Sequence, residues 1–407
     1  MYFEEKTKLM SRIKYNLGIL FAVLFVLAGG IYIYFEHYAP MQPKNDIVIN
    51  AWYVNDDAMW QRFSKIVNEY NSGEGGEYGI TVKAKAFSSR TEMYDKICKA
   101  IDEGGVLPDV AICDTDFAAY MDKQGALADM NSYFGSWETA SFNSAMVEQA
   151  KSGDKLVAVP LAAETGVFMV NTDVFSDTEA ISNFEKLCSV SDEYYGRTGN
   201  SFFTITDYSM FFRTAVAQLH DSFDAVSPHD TDNKNSKYIY KLLAESAYNR
   251  GFTAPEDNTA KQVAEGELGC AVISSADIMK YAEYIDADSI EFLKYPCMKD
   301  GDSVYTEKVT GAVITKSDSE TERSAVMFLS WLASEEINSR MTEESGYIPA
   351  NCSISSNSDY AVYEKLMDAV AKLQSRGERY TYPASAVYSE NSRNFDNVLK
   401  AIMGSLS

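Results

Sequence analysis

Residues 155–175 read KLVAVPLAAETGVFMVNTDVF, two apolar β-rich runs separated only by Ala162–Thr165, and this stretch divides the chain. Upstream of it, strand-like and helix-like segments alternate. DIVINAWYV is a β-branched run, and DDAMWQRFSKIVNEYNSG follows with Met59, Trp60, Phe63, Ile66, Val67 and Tyr70 at helical spacing, Asp56 or Asp57 as cap and Gly73 as stop. GITVKAKAF alternates as a strand does, Ser89–Gly104 has the apolar period of a helix, and LPDVAICDT then DFAAYMDKQG repeat the pair. Units of this length predict a mostly parallel sheet covered by helices on both faces, with ligands beyond the carboxyl ends of the strands. Downstream a second α/β unit begins, through SFFTIT, DYSMFFRTAVAQLH, SKYIYKLLAESAYNRG, NTAKQVAEGELG, CAVIS and SADIMKYAEYI. KVTGAVIT then leads into a helix whose stripe is Ala325, Phe328, Leu329 and Leu332, and helices within Ser358–Gly377 and Asn391–Gly404 close the chain.

With 407 residues the chain has room for two cores, because single cores stop growing near about 250–300 residues. Asp and Glu number 59 against 36 Lys and Arg, a field that repels a phosphate backbone and excludes nucleic acid as a partner. The six cysteines, Cys98, Cys113, Cys188, Cys270, Cys297 and Cys352, form no CxxC pair, so zinc spacing is absent and buried free thiols are expected, with a Cys98–Cys113 bridge as the alternative. Near the amino terminus, Leu17–Phe35 carries no charge and approaches the ~20 residues that span a bilayer as a helix. Lys6, Lys8, Arg12 and Lys14 precede it, which places residues 1–16 in the cytoplasm, 17–35 in the membrane, 36–45 as a tether, and the bulk of the chain outside the cell. Ala28-Gly29-Gly30 also fits a signal-peptide cleavage site, and Gly30 stands where a lipidated cysteine would follow Leu-Ala-Gly.

Taken in order, YDKICKAIDEGGVLPDVAICD, KQGALADMNSYF, the 155–175 stretch, AEGELGCAVISS and TGAVITKSDSETERSAVMFLSWLASEEINSRMTEESGYIPAN resemble the extracellular solute-binding proteins of ABC importers, the sugar-binding family that includes maltose-binding protein. The resemblance covers about residues 45–405. It implies a two-lobed, periplasmic-binding-protein-like (type II) α/β fold with discontinuous lobes, residues 46–157 and 310–341 forming one and 158–309 and 342–407 the other. Crossings are then expected near Val157–Pro160, Val309–Gly311 and Arg340–Gly346. It further implies a monomer that captures a small solute, in this family a sugar, and hands it to ABC permease subunits, with no cofactor and no metal. By position, Glu164 matches a cleft carboxylate of related sugar binders and Tyr208 a stacking aromatic. Tyr53, Asp57 and the Asp114-Thr115-Asp116 turn would face the cleft from the first lobe, Ser275 from the second, and Tyr388 or Phe395 would cover it. VISSADIMKY departs from the family by placing Ser274, Ser275, Ala276 and Asp277 where many members carry a tryptophan, which argues against a maltose-like oligosaccharide and toward a smaller or more polar ligand.

An enzyme finds little support: there are three histidines, His37, His220 and His229, and no GxSxG, HExxH or GxxxxGK[ST]. Tyr194-Tyr195 could in principle ligate ferric ion but sits in the polar turn SDEYYGRTG. A membrane-anchored sensor, or a binder of a non-sugar solute, is the alternative function.

Overall fold

The computed structural model describes residues 46–56, 58–134, 141–221, 233–299, 301–353, 358–376, 378–386 and 401. The expected membrane span at 17–35, the tether and, apart from residue 401, the helix within Asn391–Gly404 lie outside these residues. Among the described residues no helix is long and apolar enough to cross a membrane.

One mixed sheet runs through both halves of the fold. In chain order its main strands are β1 (Ile47–Val54), β2 (Ile80–Phe87), β3 (Val110–Asp114), β4 (Val159–Asn171), β5 (Phe203–Ile205), β6 (Cys270–Ser274), β7 (Ile290–Leu293) and β8 (Glu307–Ile314). The strand order is β2-β1-β3-β8-β4-β6-β5, and β7 also pairs with β4. β1 is parallel to β2 and β3, and β5 to β6, but β8 runs antiparallel to β3 and β4, and β4 antiparallel to β6. The mostly parallel sheet read from the sequence is therefore parallel only within each half. The two runs expected on either side of Ala162–Thr165 are one 13-residue strand, β4, buried along its whole length. The polar interruption does not break it, because Glu164 meets Lys308 on the paired strand β8 and Arg90 from the first half.

Helices α1 (Phe63–Ser72), α2 (Arg90–Glu103), α3 (Thr115–Lys123), α4 (Phe184–Thr198), α5 (Tyr208–Gln218), α6 (Ser275–Met279), α7 (Ser319–Leu332), α8 (Glu335–Thr342) and α9 (Ala361–Ser375) cover the sheet. Their ends are written in the sequence. The Ser89 hydroxyl accepts from the Glu92 amide to start α2, and Gly104 ends it in the left-handed conformation; Asp207 caps α5 through the Met210 amide. The expected single helix after Asp318 is two, α7 and α8, parted at Ala333–Ser334.

The packing separates into two halves. In the first, Trp60, Phe63, Tyr70, Phe328 and Leu329 cover one face of β1–β3, while Met93, Ile97 and Phe117 cover the other. In the second, Phe184, Phe203, Phe211 and Phe212 lie on one side and Ala271, Ile273, Leu366 and Met367 on the other. Burying each large side chain contributes about 1.5–3 kcal/mol, and each half packs these side chains against its own sheet segment. Three segments pass between them. Leu161 and Ala162 of β4 belong to the first core and Ala163 and Val167 to the second; Val309 and Ala312 of β8 divide likewise, as do Tyr347 and Ile348. Gly346, just before the last passage, has φ +75° and lies so close to the Ser275 carbonyl that a Cβ would clash with it. None of the six cysteines is joined in a disulfide.

Candidate functional site

A cavity of about 530 Å3 opens between the halves, beyond the carboxyl ends of β1, β2, β3, β5 and β6. Asp56 follows β1, Ser88–Thr91 follow β2, and Asp114 ends β3. Thr206, Asp207 and Ser209 come from the β5–α5 turn, and Ser274, Ala276 and Asp277 from the β6–α6 turn. These turns line the cavity because parallel strands within each half release their loops at one edge.

At the floor lies a chain of charges. Arg90 donates to Glu164 at 3.0 Å and lies 3.7 Å from Asp114; Lys308 bridges Glu164 at 3.2 Å and Asp207 at 2.8 Å. The Ser274 hydroxyl donates to the other Glu164 oxygen. Burial pushes the Glu164 carboxyl up, but Lys308, Arg90 and Ser274 outweigh it and hold its pKa down at about 2. Asp207 is likewise held below its usual range, burial being outweighed by Lys308 and by the Met210 amide and Ser209 hydroxyl. Burial opposes the charge on Lys308, and so does Arg90, yet Asp207 and Glu164 leave its pKa well above the usual value. Glu164 is thus an acceptor that stays ionised at neutral pH. A carboxylate has about four lone-pair sites, and its three donors leave one for a ligand.

On the wall, Tyr94 and Phe117 stack face to face with centroids 3.8 Å apart, and the Tyr94 hydroxyl accepts from the Asp114 amide at 2.9 Å. Asp116 receives two hydrogen bonds from Arg213 on α5, at 3.0 and 3.3 Å, and one from the Ser385 amide at 2.8 Å. Burial raises the Asp116 pKa and Arg213 only partly offsets it. Arg213 in turn lies 3.5 Å from the centre of the Tyr382 ring, so residues 382–385 cover the pair.

Of the residues expected to face the cleft, Asp114, Asp116 and Glu164 line the cavity together. Thr115, Tyr53, Tyr208 and Ser275 are not among its lining residues. Thr115 is buried at the start of α3, Tyr53 packs on Phe63 at 4.6 Å, Tyr208 packs edge-on to Phe252 in the second core, and the buried Ser275 hydroxyl accepts from the Thr165 amide. Asp57, Tyr388 and Phe395 lie outside the described residues. The reading from sequence missed Arg90, Lys308 and Asp207. Arg90 comes three residues after β2, where the strand-end rule applied to β1 and β3 would have found it; Asp207 is the first residue of the expected segment DYSMFFRTAVAQLH and caps the observed α5. Lys308 carries no such signal, since a lysine beginning a strand reads as solvated. Among the described lining residues there is no tryptophan.

Two sheeted halves joined by crossing strands around a polar, open cavity define a solute receptor. The chain belongs to the family of bacterial extracellular solute-binding proteins, whose model matches residues 65–369. In fold it is similar to the maltose-bound MalE3 of T. maritima, with TM-score 0.67, 16% identity, and coverage of 88% of this chain and 94% of that one. It is similar also to the ABC substrate-binding protein Lmo0181 of Listeria monocytogenes in complex with cycloalternan, with TM-score 0.68, 13% identity, and 90% and 95% coverage. A third is the cyclic alpha-maltosyl-1,6-maltose binding protein of Arthrobacter globiformis, with TM-score 0.65, 16% identity, and 89% and 94% coverage. No curated protein matches the sequence.

Proposed function

We propose that this chain captures a carbohydrate in the cavity between its halves and passes it, chemically unaltered, to the permease of an ABC importer. The observation that carries the reading is Glu164, a buried carboxylate held ionised on the crossing strand β4, with one acceptor site left for a hydroxyl. Asp114, Asp56 and Asp207 add acceptors around it, and the stacked Tyr94 and Phe117 add apolar surface. The fold is shared with proteins solved in complex with maltose and cycloalternan, and with a solute-binding protein from Agrobacterium radiobacter K84 solved with ribitol. Closure of the halves would bring these groups onto the ligand at once, with bending at the passages near Ala162, Val309 and Tyr347. We take the two lobes to be about residues 46–157 with 310–341, and 158–309 with 342–407, the first and last passages falling a few residues beyond those bounds. Leu17–Phe35 serves as a membrane anchor in place of the missing lipidated cysteine, keeping a monomer beside its permease.

The test is a melting screen of the full-length chain against sugars, polyols, amino acids and metal ions. A ligand at about 100 times its dissociation constant adds about 2.7 kcal/mol to native stability, a shift readily seen. A shift with a carbohydrate is expected; a shift only with another class would overturn the reading.

A further inference from the structure

Beside the main cavity a smaller recess of about 10 Å3 is bounded by Asp56, Arg90, Asp114 and Thr310, among others. That is room for one water-sized group. Among the described residues, three polar atoms around it have no hydrogen-bond partner: the acceptors Asp56 Oδ1 and Asp114 Oδ1, and the Thr310 hydroxyl oxygen, which can accept or donate. Thr310 is only 4% exposed, and the nearest cation to Asp114 Oδ1, Arg90, stands at 3.7 Å, beyond hydrogen-bond reach. Buried carboxylate oxygens without partners are costly, so the recess is built for an occupant that donates.

Charge narrows the choice. Lys280 pairs with Asp277 and Arg213 with Asp116, which leaves two lining cations, Arg90 and Lys308, against four carboxylates, Asp56, Asp114, Glu164 and Asp207. The whole chain carries a net charge of −23, which favours approach of a cation and disfavours a sugar acid. A metal ion is a poor occupant, because no group of three or more His, Cys, Asp or Glu side chains suited to one occurs among the described residues. An ammonium can donate to both carboxylate oxygens and to the Thr310 hydroxyl and brings the positive charge that the carboxylate excess favours, whereas a hydroxyl brings one donor and a water two donors but no charge.

We propose that the ligand is an amino-bearing carbohydrate whose ammonium group sits in the recess between Asp56, Asp114 and Thr310, an inference that rests on the carbohydrate reading above. Arg90 then orders the recess by holding Glu164 and Asp114, and Glu164 takes a hydroxyl of the same sugar.

Titration calorimetry of the full-length chain at low salt separates the alternatives. Matched pairs are used, in which one hydroxyl of the neutral sugar is replaced by an amine: glucosamine and glucose, galactosamine and galactose, mannosamine and mannose, and β-1,4-linked dimers to tetramers of glucosamine and of glucose. In at least one pair the amino member should bind ten times or more tighter than its neutral partner, and the advantage should shrink as salt is raised. Asp56→Asn, nearly isosteric, should cut that ratio at least fivefold; Thr310→Val is a second variant should Asp56→Asn fold poorly, and it should lower the same ratio. Neutral members binding as well as or better than their amino partners, or a ratio unmoved by both variants, would overturn the inference and leave the carbohydrate reading standing. Binding by no member of any pair, neutral or amino, while amino acids or metal ions do bind, would overturn both.

Discussion

Asp116 on α3 and Arg213 on α5 form a buried, doubly hydrogen-bonded ion pair, at 3.0 and 3.3 Å, that ties the first half of the fold to the second. Both side chains are nearly inaccessible, at 7% and 3% exposure, and Tyr382 lies flat over the guanidinium. The pair stands on the cavity wall, so it couples the fit of the two halves to the shape of the site.

Removing one partner of this pair leaves the other as an uncompensated buried charge. Arg213→Ala is expected to destabilise the native state by about 3–5 kcal/mol. The double variant Asp116→Leu/Arg213→Leu should recover much of that loss. Urea unfolding of the three chains measures both effects, and a double variant as unstable as the single one would contradict the assignment.

Acid should weaken the site in a defined window. Glu164 and Asp207 have folded-state pKa values below their ordinary ones, so their contribution is present above the ordinary carboxylate range and is lost as pH falls through the folded values. Stability should hold above about pH 5 and decline toward about pH 2, the carboxylate range of the unfolded chain being about 4. Melting temperature against pH should show the decline in the wild-type chain and a shallower one in Glu164→Gln.

Asp207 has two roles that substitutions can separate. Asp207→Asn keeps an acceptor for the Met210 amide but loses the ion pair with Lys308; Asp207→Ala loses both. The alanine variant should be less stable than the asparagine variant by about 1 kcal/mol, the usual worth of a helix cap. Equal stabilities by chemical denaturation would show that the cap contributes nothing.

Gly346 should tolerate no side chain. Its left-handed backbone costs a non-glycine residue about 1–2 kcal/mol, and a Cβ would also press on the Ser275 carbonyl across the passage between the halves. Gly346→Ala is expected to lower the melting temperature by more than the backbone cost alone, read against a control such as Gly104→Ala. Gly104 has φ +67° with open space around its Cβ position.

Much of this architecture is visible in the sequence because its elements are locally specified. The Ser89 and Gly104 ends of α2, the alternation in β2 and the apolar stripe of α7 each follow from one short-range rule. What escaped reading depends on contacts distant in the chain. Glu164 reads as a polar break until Lys308 and Arg90, 144 and 74 residues away, neutralise it and let β4 continue unbroken. The direction of β4 and β8 is likewise set by their passage between halves and not by their own residues. Tyr208 and Tyr53 show the converse: an aromatic beside a strand end fits a site or a core equally well, and only the packing of Phe252 and Phe63 against them decides.

The most direct measurement is a calorimetric titration of the full-length chain, wild type and Glu164→Ala, with the carbohydrate that raises its melting temperature most. Saturation is expected at one sugar per chain, with the sugar recovered unchanged. The variant should bind at least tenfold more weakly, since a hydrogen bond to a charged group contributes about 1.5–3 kcal/mol. A carbohydrate that binds both chains equally, or the absence of binding by any carbohydrate, would contradict the account.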